Sequence, residues 1–251
     1  MDTRTTPTPR DIERAAANSR IILGSFDPAD LDSWYGIERP AYSYHDLTRV
    51  PHLLVMGRTG AGKSILLRNY LNVAALAPES YTIVHITTDA DMGFSEDIDQ
   101  VKNVPLQDAE HKLAQVVEKA LPSREKKLRD ANVSNWDELI CTGEDGEETP
   151  RRLLVLVDGI ERTLGGDMLS RNKVTKYLAE ILRRGRSLGV HLVVTTQASA
   201  PEKMYRMPDV VQEFTHRVMF SYRHRGSGYA VWCEGKEVMS PEFAVNAPGL
   251  D

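Results

Sequence analysis

The chain has little cysteine, no long apolar run and no excess of basic residues, and each shortage closes off a class of protein. Its 251 residues hold two cysteines, Cys141 and Cys233. Neither belongs to a Cys-x-x-Cys pair, and no Cys/His spacing suits zinc. A disulfide-stapled fold is therefore not expected, and a reducing cytoplasm is the expected compartment. The seven histidines show no metal-ligand spacing. No stretch reaches the ~20 consecutive apolar residues that a membrane helix needs. Residues 1–20 carry no apolar run of the signal-peptide kind. Direct membrane insertion is not expected, so any attachment would come through a membrane-associated partner protein. The formal net charge is -5, so a surface that grips nucleic acid all over is excluded. DNA binding would need a local basic patch. There is no internal repeat and no long low-complexity tract.

What is present is ordinary globular composition, 41% hydrophobic and 27% charged. Residues 1–20 read as a disordered or weakly structured leader, with Thr and Pro in 1–10 and a short helix at 11–18. Residues 21–251 read as a single domain. Four apolar segments have the pattern of buried strands: 52–57 (HLLVMG), 81–87 (YTIVHIT), 152–158 (RLLVLVD) and 189–197 (GVHLVVTTQ). A fifth strand is expected within 214–222. Between them, 63–76 and 168–188 have helical spacing, and Pro122 marks a break or kink in a helix over 107–129. Residues 21–50 read as a mixed stretch with short strands. Residues 89–104 read as an acidic loop, 141–150 as another, and 223–251 as a weakly structured tail. Strands that are apolar throughout and alternate with helices predict an α/β fold, a mostly parallel sheet covered by helices on both faces.

The first apolar strand runs into Gly57-Arg58-Thr59-Gly60-Ala61-Gly62-Lys63-Ser64, which matches G-x-x-x-x-G-K-[ST]. Glycines there let backbone N–H groups close on a phosphate, and a helix beginning at Lys63 aims its positive end at the same point. The segment Gly57 to Ser64, with Ile65 beside it, is the expected binding site of ATP with Mg²⁺. Lys63 is expected on the β- and γ-phosphates, and Ser64 on the metal.

Asp158 ends the third strand, where a carboxylate completes a Mg²⁺ site through water. Gly159 follows and cannot act as a base, so Glu161 is a candidate for activating water. Thr195-Thr196-Gln197 closes the fourth strand. Strand ends are where open α/β sheets bind ligands, so Gln197 is a candidate for orienting water or sensing phosphate. The run Arg183-Arg184-Gly185-Arg186 would suit an arginine acting in trans or DNA phosphates, or else simply complement a helix C-terminus. Arg223-His224-Arg225 is a second basic cluster, read as a solvated loop.

These pieces together resemble the FtsK/SpoIIIE family of DNA-pumping ATPases. The first resembling segment is Pro51-His52-Leu53-Leu54, running into the phosphate loop. The second, more discriminating, is Gly185-Arg186-Ser187-Leu188-Gly189-Val190-His191, leading to Thr196-Gln197. Phe214-Thr215-His216-Arg217-Val218 is similar to a later strand of the family. The resemblance spans about 50–222. It implies a RecA-like P-loop core, a ring of identical copies (a hexamer) and double-stranded DNA as partner. It also implies kinship with plasmid-transfer and type VII secretion ATPases. Carried over, Lys63 and Ser64 bind nucleotide and Mg²⁺, Asp158 is the Walker-B carboxylate and Gln197 the strand-end sensor. Three departures stand out: Gly159 where the family has glutamate, Asp89-Ala90-Asp91 where it has Asp-Pro-Lys, and Ser221-Tyr222-Arg223 where it has Asp-Ser-Arg.

The expected function is thus an ATP-driven DNA translocase core in DNA transfer or segregation. Gly159 motivates the alternative, a degenerate, weakly hydrolysing ATP-binding module that works with a protein partner. A GTPase is disfavoured, because Asn172-Lys173-Val174-Thr175 lacks the aspartate of a guanine-reading motif.

Overall fold

Six strands among the described residues run parallel, and the apolar segments of the sequence form most of them. The computed structural model describes residues 6–27, 41–88, 95–142, 149–165, 168–197, 209–220, 228–234 and 237–245. Its strands are β1 (Arg20–Phe26), β2 (Tyr42–Asp46), β3 (Leu53–Met56), β4 (Tyr81–Thr87), β5 (Val101–Pro105), β6 (Arg152–Val157), β7 (Val190–Thr196), β8 (His216–Phe220), β9 (Tyr229–Glu234), β10 (Glu237–Val238) and β11 (Phe243–Ala244). They form one sheet in the order β2-β1-β11-β9-β8-β3-β7-β6-β4-β5, with β10 paired to β9. The run from β8 to β5 is parallel, and β9, β11, β1 and β2 extend it in antiparallel pairs.

The helices are α1 (Pro9–Ala17), α2 (Lys63–Leu76), α3 (Ala109–Gln115), α4 (Leu121–Asp130), α5 (Trp136–Thr142), α6 (Ile160–Thr163), α7 (Met168–Arg184) and α8 (Asp209–Gln212). They cover both faces of the sheet. On one face Leu54, Met56, Val155 and Val157 pack with Leu113 of α3, Leu128 of α4 and Leu178 of α7. On the other, Leu53, Val55, Leu154 and Leu156 pack with Leu67 and Tyr70 of α2 and with Ile12 of α1. Successive side chains of a strand point to opposite faces, so a strand buried on both must be apolar at every position. Each such residue removes water at roughly 25 cal/mol per Å² of apolar surface. The mostly parallel α/β sheet with helices on both faces is the fold class that the sequence predicts.

Two local expectations are found with their bounds sharpened, and two differ. Within the N-terminal leader, residues 9–17 are helical. Thr8 and Asp11 form a capping box, Pro9 starts the helix, and Ile12, Ala15 and Ala16 are buried. Within 21–50, the expected short strands are β1 and β2, paired with each other in the sheet. Within 89–104, residues 89–94 lie outside the described residues and 101–105 form β5, parallel to β4. Only Val104 of β5 is buried, so the strand lacks the apolar run that marks a central one. The described part of 223–251 holds β9, β10 and β11 rather than a weak tail, and β9 pairs with β8 from His216↔Glu234 to Phe220↔Ala230. Pro122 sits in the first turn of α4, just after a π-helical turn over Val116–Ala120. That wider turn accommodates a residue with no N–H to donate.

Candidate functional site

All six parallel strands point the same way, so β3, β6 and β7 deliver their C-terminal residues to one edge of the sheet. The register sets which residues meet there. Met56 is level with Thr196, and Val157 with Val194. Gly57 N–H then donates to Thr196 O at 3.2 Å, which fixes the start of the phosphate loop.

The loop is braced from behind by the end of β8 and by the chain that follows it. A Cβ on Gly57 would lie 2.8 Å from Phe220 Cβ, and one on Gly62 would lie 3.0 Å from Phe220 Cε1. Gly228 N–H donates to Ala61 O at 2.8 Å. Gly62 has φ 112° and caps α2 from the left-handed region, where side-chain-bearing residues are strained. Arg58, Thr59 and Gly60 are exposed, and Ala61 is buried beneath them.

Lys63 folds back on its own loop and donates from Nζ to Gly57 O at 2.7 Å and to Arg58 O at 2.9 Å. Burial lowers its pKa from the ordinary lysine value, while the charges of Asp158 and Glu161 oppose that shift. Lys63, Ser64 and Ile65 line a cavity of about 290 Å³ together with Thr59, Gly60 and Gly62. Asp158, Gly159, Arg162, Thr195 and Gln197 line it from the opposite side. The expected loop residues, Asp158 and Gln197 are thereby brought together.

Asp158 is held by Thr195. The Thr195 hydroxyl accepts from Gly159 N–H at 2.7 Å and donates to Asp158 Oδ1 at 2.7 Å. Asp158 keeps its other carboxylate oxygen for a ligand. Among the described residues no three His, Cys, Asp or Glu side chains converge as a metal site. Mg²⁺ beside a nucleotide takes one or two protein oxygens and fills its octahedron with phosphate and water. Ser64 and Asp158 are the residues fitted to hold it.

Glu161 stands differently. Its Oε1 accepts from the Thr196 hydroxyl and, at 2.8 Å, from Gln197 N–H. It ties α6 to the end of β7 and does not line the cavity. Gly159 has φ 84° and caps α6, in the left-handed region that favours glycine. Two residues were not singled out from the sequence: Thr195, as the bridge to Asp158, and Arg162. The local turn that Gly159 permits is the signal for Arg162, and it is not visible in residue types.

The basic run lies at the other end of the sheet, where α7 ends before β7 begins. Arg183 pairs with Glu180 at 2.5 Å, and Arg184 pairs with Glu180 and Glu125. Arg186 donates to Thr48 O at 3.3 Å. Arg223-His224-Arg225, Asp89-Ala90-Asp91 and Ser221-Tyr222 lie outside the described residues.

No helix among the described residues is long and apolar enough to cross a membrane. Comparison with known proteins agrees with the fold and the loop. The chain is 26% identical over 162 residues to the DNA translocase FtsK of Clostridium tetani, covering 61% of this chain and 21% of that protein. It is 26% identical over 163 residues to the DNA translocase FtsK of Staphylococcus aureus, covering 60% and 20%. The chain thus spans about a fifth of the length of these curated relatives. Among solved structures, the pCW3 conjugation coupling protein TcpA in its monomer form with ATPγS superposes with a TM-score of 0.68 at 18% identity, over 92% of this chain and 66% of that one. The cytoplasmic domain of the type VII secretion ATPase EccC of Thermomonospora curvata superposes at 0.71 and 19%, over 98% and 31%. These two show a shared fold. The FtsK/SpoIIIE family model matches residues 36–201, which include the phosphate loop, Asp158 and Gln197. On that match, over more than half of its length, the chain belongs to the FtsK/SpoIIIE family.

Proposed function

We propose that the chain is an ATP-binding motor domain that moves double-stranded DNA in transfer or segregation, working as a ring of identical copies, a hexamer, in the cytoplasm. The observation that carries this reading is the cavity itself, which joins a complete phosphate loop to a strand-end carboxylate and a strand-end glutamine. Residues 21–251 act as one domain, and a membrane-associated protein supplies any anchoring. DNA as cargo is supported by the family and by the names of its translocase and conjugation members.

In this reading Gly57 to Ser64, with Ile65 at the rim, enclose the phosphates of ATP. Lys63 exchanges its bonds to Gly57 O and Arg58 O for phosphate oxygens, which restores charge pairing to a half-buried ammonium. Ser64 and Asp158 hold Mg²⁺, which when bound neutralises β- and γ-phosphate charge. Thr195 keeps Asp158 in one rotamer. Gln197 faces the terminal phosphate, and Glu161 acts on Gln197 by gripping its N–H.

A specific observation favours a second reading, a weakly hydrolysing module that acts with a protein partner. Gly159 supplies no base, and Oε1 of Glu161 is spent on Thr196 and Gln197. Steady-state ATP hydrolysis with and without double-stranded DNA decides, with Lys63→Ala as the blank. DNA-stimulated turnover that Lys63→Ala abolishes supports the translocase. Blank-level turnover with ATP binding intact supports the second reading, and absence of ATP binding refutes both.

A further inference from the structure

Arg162 is a cation inside the phosphate cavity that nothing in the reading above uses. It lies in the single turn of α6, and its N–H donates to Gly159 O at 3.0 Å. The turn folds its side chain back over Gly159. A Cβ on Gly159 would lie 3.6 Å from Arg162 Cδ and 4.0 Å from Nε. The arginine therefore lies in ordinary van der Waals contact with the point where a side chain at 159 would begin, where the family carries its glutamate. Its guanidinium makes no hydrogen bond or ion pair among the described residues. It lines the same cavity as Lys63, Ser64, Asp158 and Gln197.

Two cations facing one cavity repel, and the nearness of Arg162 is one of the influences that lower the Lys63 pKa. A multiply charged anion between them turns that repulsion into attraction. A guanidinium is planar, permanently charged and suited to bidentate contact with phosphate. In the reading above the loop amides enclose the inner phosphates and Lys63 reaches the β- and γ-phosphates. A group draped over residue 159, at the strand end beyond Asp158, faces the outermost one.

We propose that Arg162 binds the terminal phosphate from within the same chain, so that the site discriminates a nucleoside triphosphate from a diphosphate. This rests on the nucleotide reading above. The carboxylate of the family pattern is replaced by a phosphate-holding cation, and loss of the terminal phosphate releases α6 and, through Glu161, the end of β7.

The test is the Kd for ATPγS and for ADP, both with Mg²⁺, measured by isothermal titration on the full 251-residue chain and on Arg162→Ala, Arg162→Lys and Lys63→Ala. Arg162 is exposed, so its variants are expected to melt like the unsubstituted chain. Loss of a charge-assisted bond weakens ATPγS by about tenfold to a hundredfold in Arg162→Ala. ADP binding stays within about twofold, and Arg162→Lys falls between. Equal weakening of both ligands, or no change in either, overturns the role of Arg162 while Lys63→Ala still loses both. If the unsubstituted chain binds neither ligand, the nucleotide reading itself falls, and this inference with it.

Discussion

In the proposed site the Thr195 hydroxyl serves both stability and the Mg²⁺ carboxylate, so Thr195→Val is the sharpest perturbation of this reading. The side chain is fully buried, and valine has nearly its shape. The substitution removes two hydrogen bonds at once. Gly159 N–H loses its acceptor at 2.7 Å, and Asp158 Oδ1 loses its donor at 2.7 Å. A stranded buried N–H costs about 1–3 kcal/mol, and a bond to a charged acceptor contributes about 1.5–3 kcal/mol. The extra apolar group gained by burying valine returns roughly 1 kcal/mol. The net loss is about 1.5–5 kcal/mol, which in a domain of this size lowers Tm by roughly 3–20 °C.

The functional effect is separable from that loss. With Thr195 gone, Asp158 turns freely, and the metal-dependent part of ATP affinity falls while affinity in EDTA stays as it was. Thr195→Ser keeps the hydroxyl and restores both bonds at the cost of one methyl. Urea denaturation gives the stability, and ATP titration with Mg²⁺ and with EDTA gives the affinity. Thr195→Val with unchanged Tm and unchanged Mg²⁺ dependence would refute the bridge. Thr195→Ser behaving like Thr195→Val would place the effect in packing instead.

Gly62→Ala puts a Cβ at φ 112° and 3.0 Å from Phe220 Cε1, so it should cost about 1–3 kcal/mol and abolish ATP binding; a normal melt with normal affinity would contradict that. Glu161→Ala should speed hydrogen exchange at the Gln197 amide, which that carboxylate holds at 2.8 Å, while Glu161→Gln keeps a carbonyl acceptor and changes it less; equal exchange in all three chains would remove the link. Burial holds His45 and His52 at pKa about 4 and lowers His191 as well, against an ordinary value of 6.5. The unfolded chain therefore binds more protons, and this stability is complete above pH 6.5 and is lost as pH falls toward 4. Each histidine contributes a slope of up to about 1.4 kcal/mol per pH unit, and a Tm that is flat across that window would refute the neutral cluster.

What the sequence made legible follows from where the physics is local. The phosphate loop was readable because glycine spacing, a lysine and a flanking strand and helix each constrain the same turn. Central strands such as β6 and β7 are readable because burial on both faces gives each a continuous apolar run, 153–157 and 192–194. Edge strands carry no such mark. Val101–Pro105 buries one residue of five and is held by pairing with β4, a distant segment. Phe220 and Gly228 brace the loop across long sequence separations, so 223–251 looked idle by pattern. For Arg183, Arg184 and Arg186 the residue types leave open a contact in trans, DNA phosphates or a helix end, and their partners in the fold lie on α4, on their own helix and beside β2. Glu161 was noticed as a carboxylate near Asp158, but its engagement with Thr196 and Gln197 depends on the turn at Gly159.

The two segments that carried the family resemblance meet each other, and they meet at the end of the sheet away from the nucleotide. His52 Nδ1 accepts from Leu192 N–H at 3.1 Å, and His191 Nδ1 lies 3.0 Å from Pro51 O. Each histidine sits just before, or within, the start of its own strand and bonds the other strand's backbone. Together they pin the register of β3 against β7. Parallel strands transmit register along their whole length, and a slip of one residue would turn every side chain to the opposite face. The same register that sets Leu53 against Val193 sets Met56 against Thr196, and so sets Gly57 beside the end of β7. At roughly 3.3 Å per residue, β3 carries the constraint about 13 Å from staple to phosphate loop. A protonated His52 cannot accept at Nδ1, so the staple requires the neutral ring that burial enforces. The histidines act from a distance, as the positioning end of a strand whose other end leads into the phosphate loop.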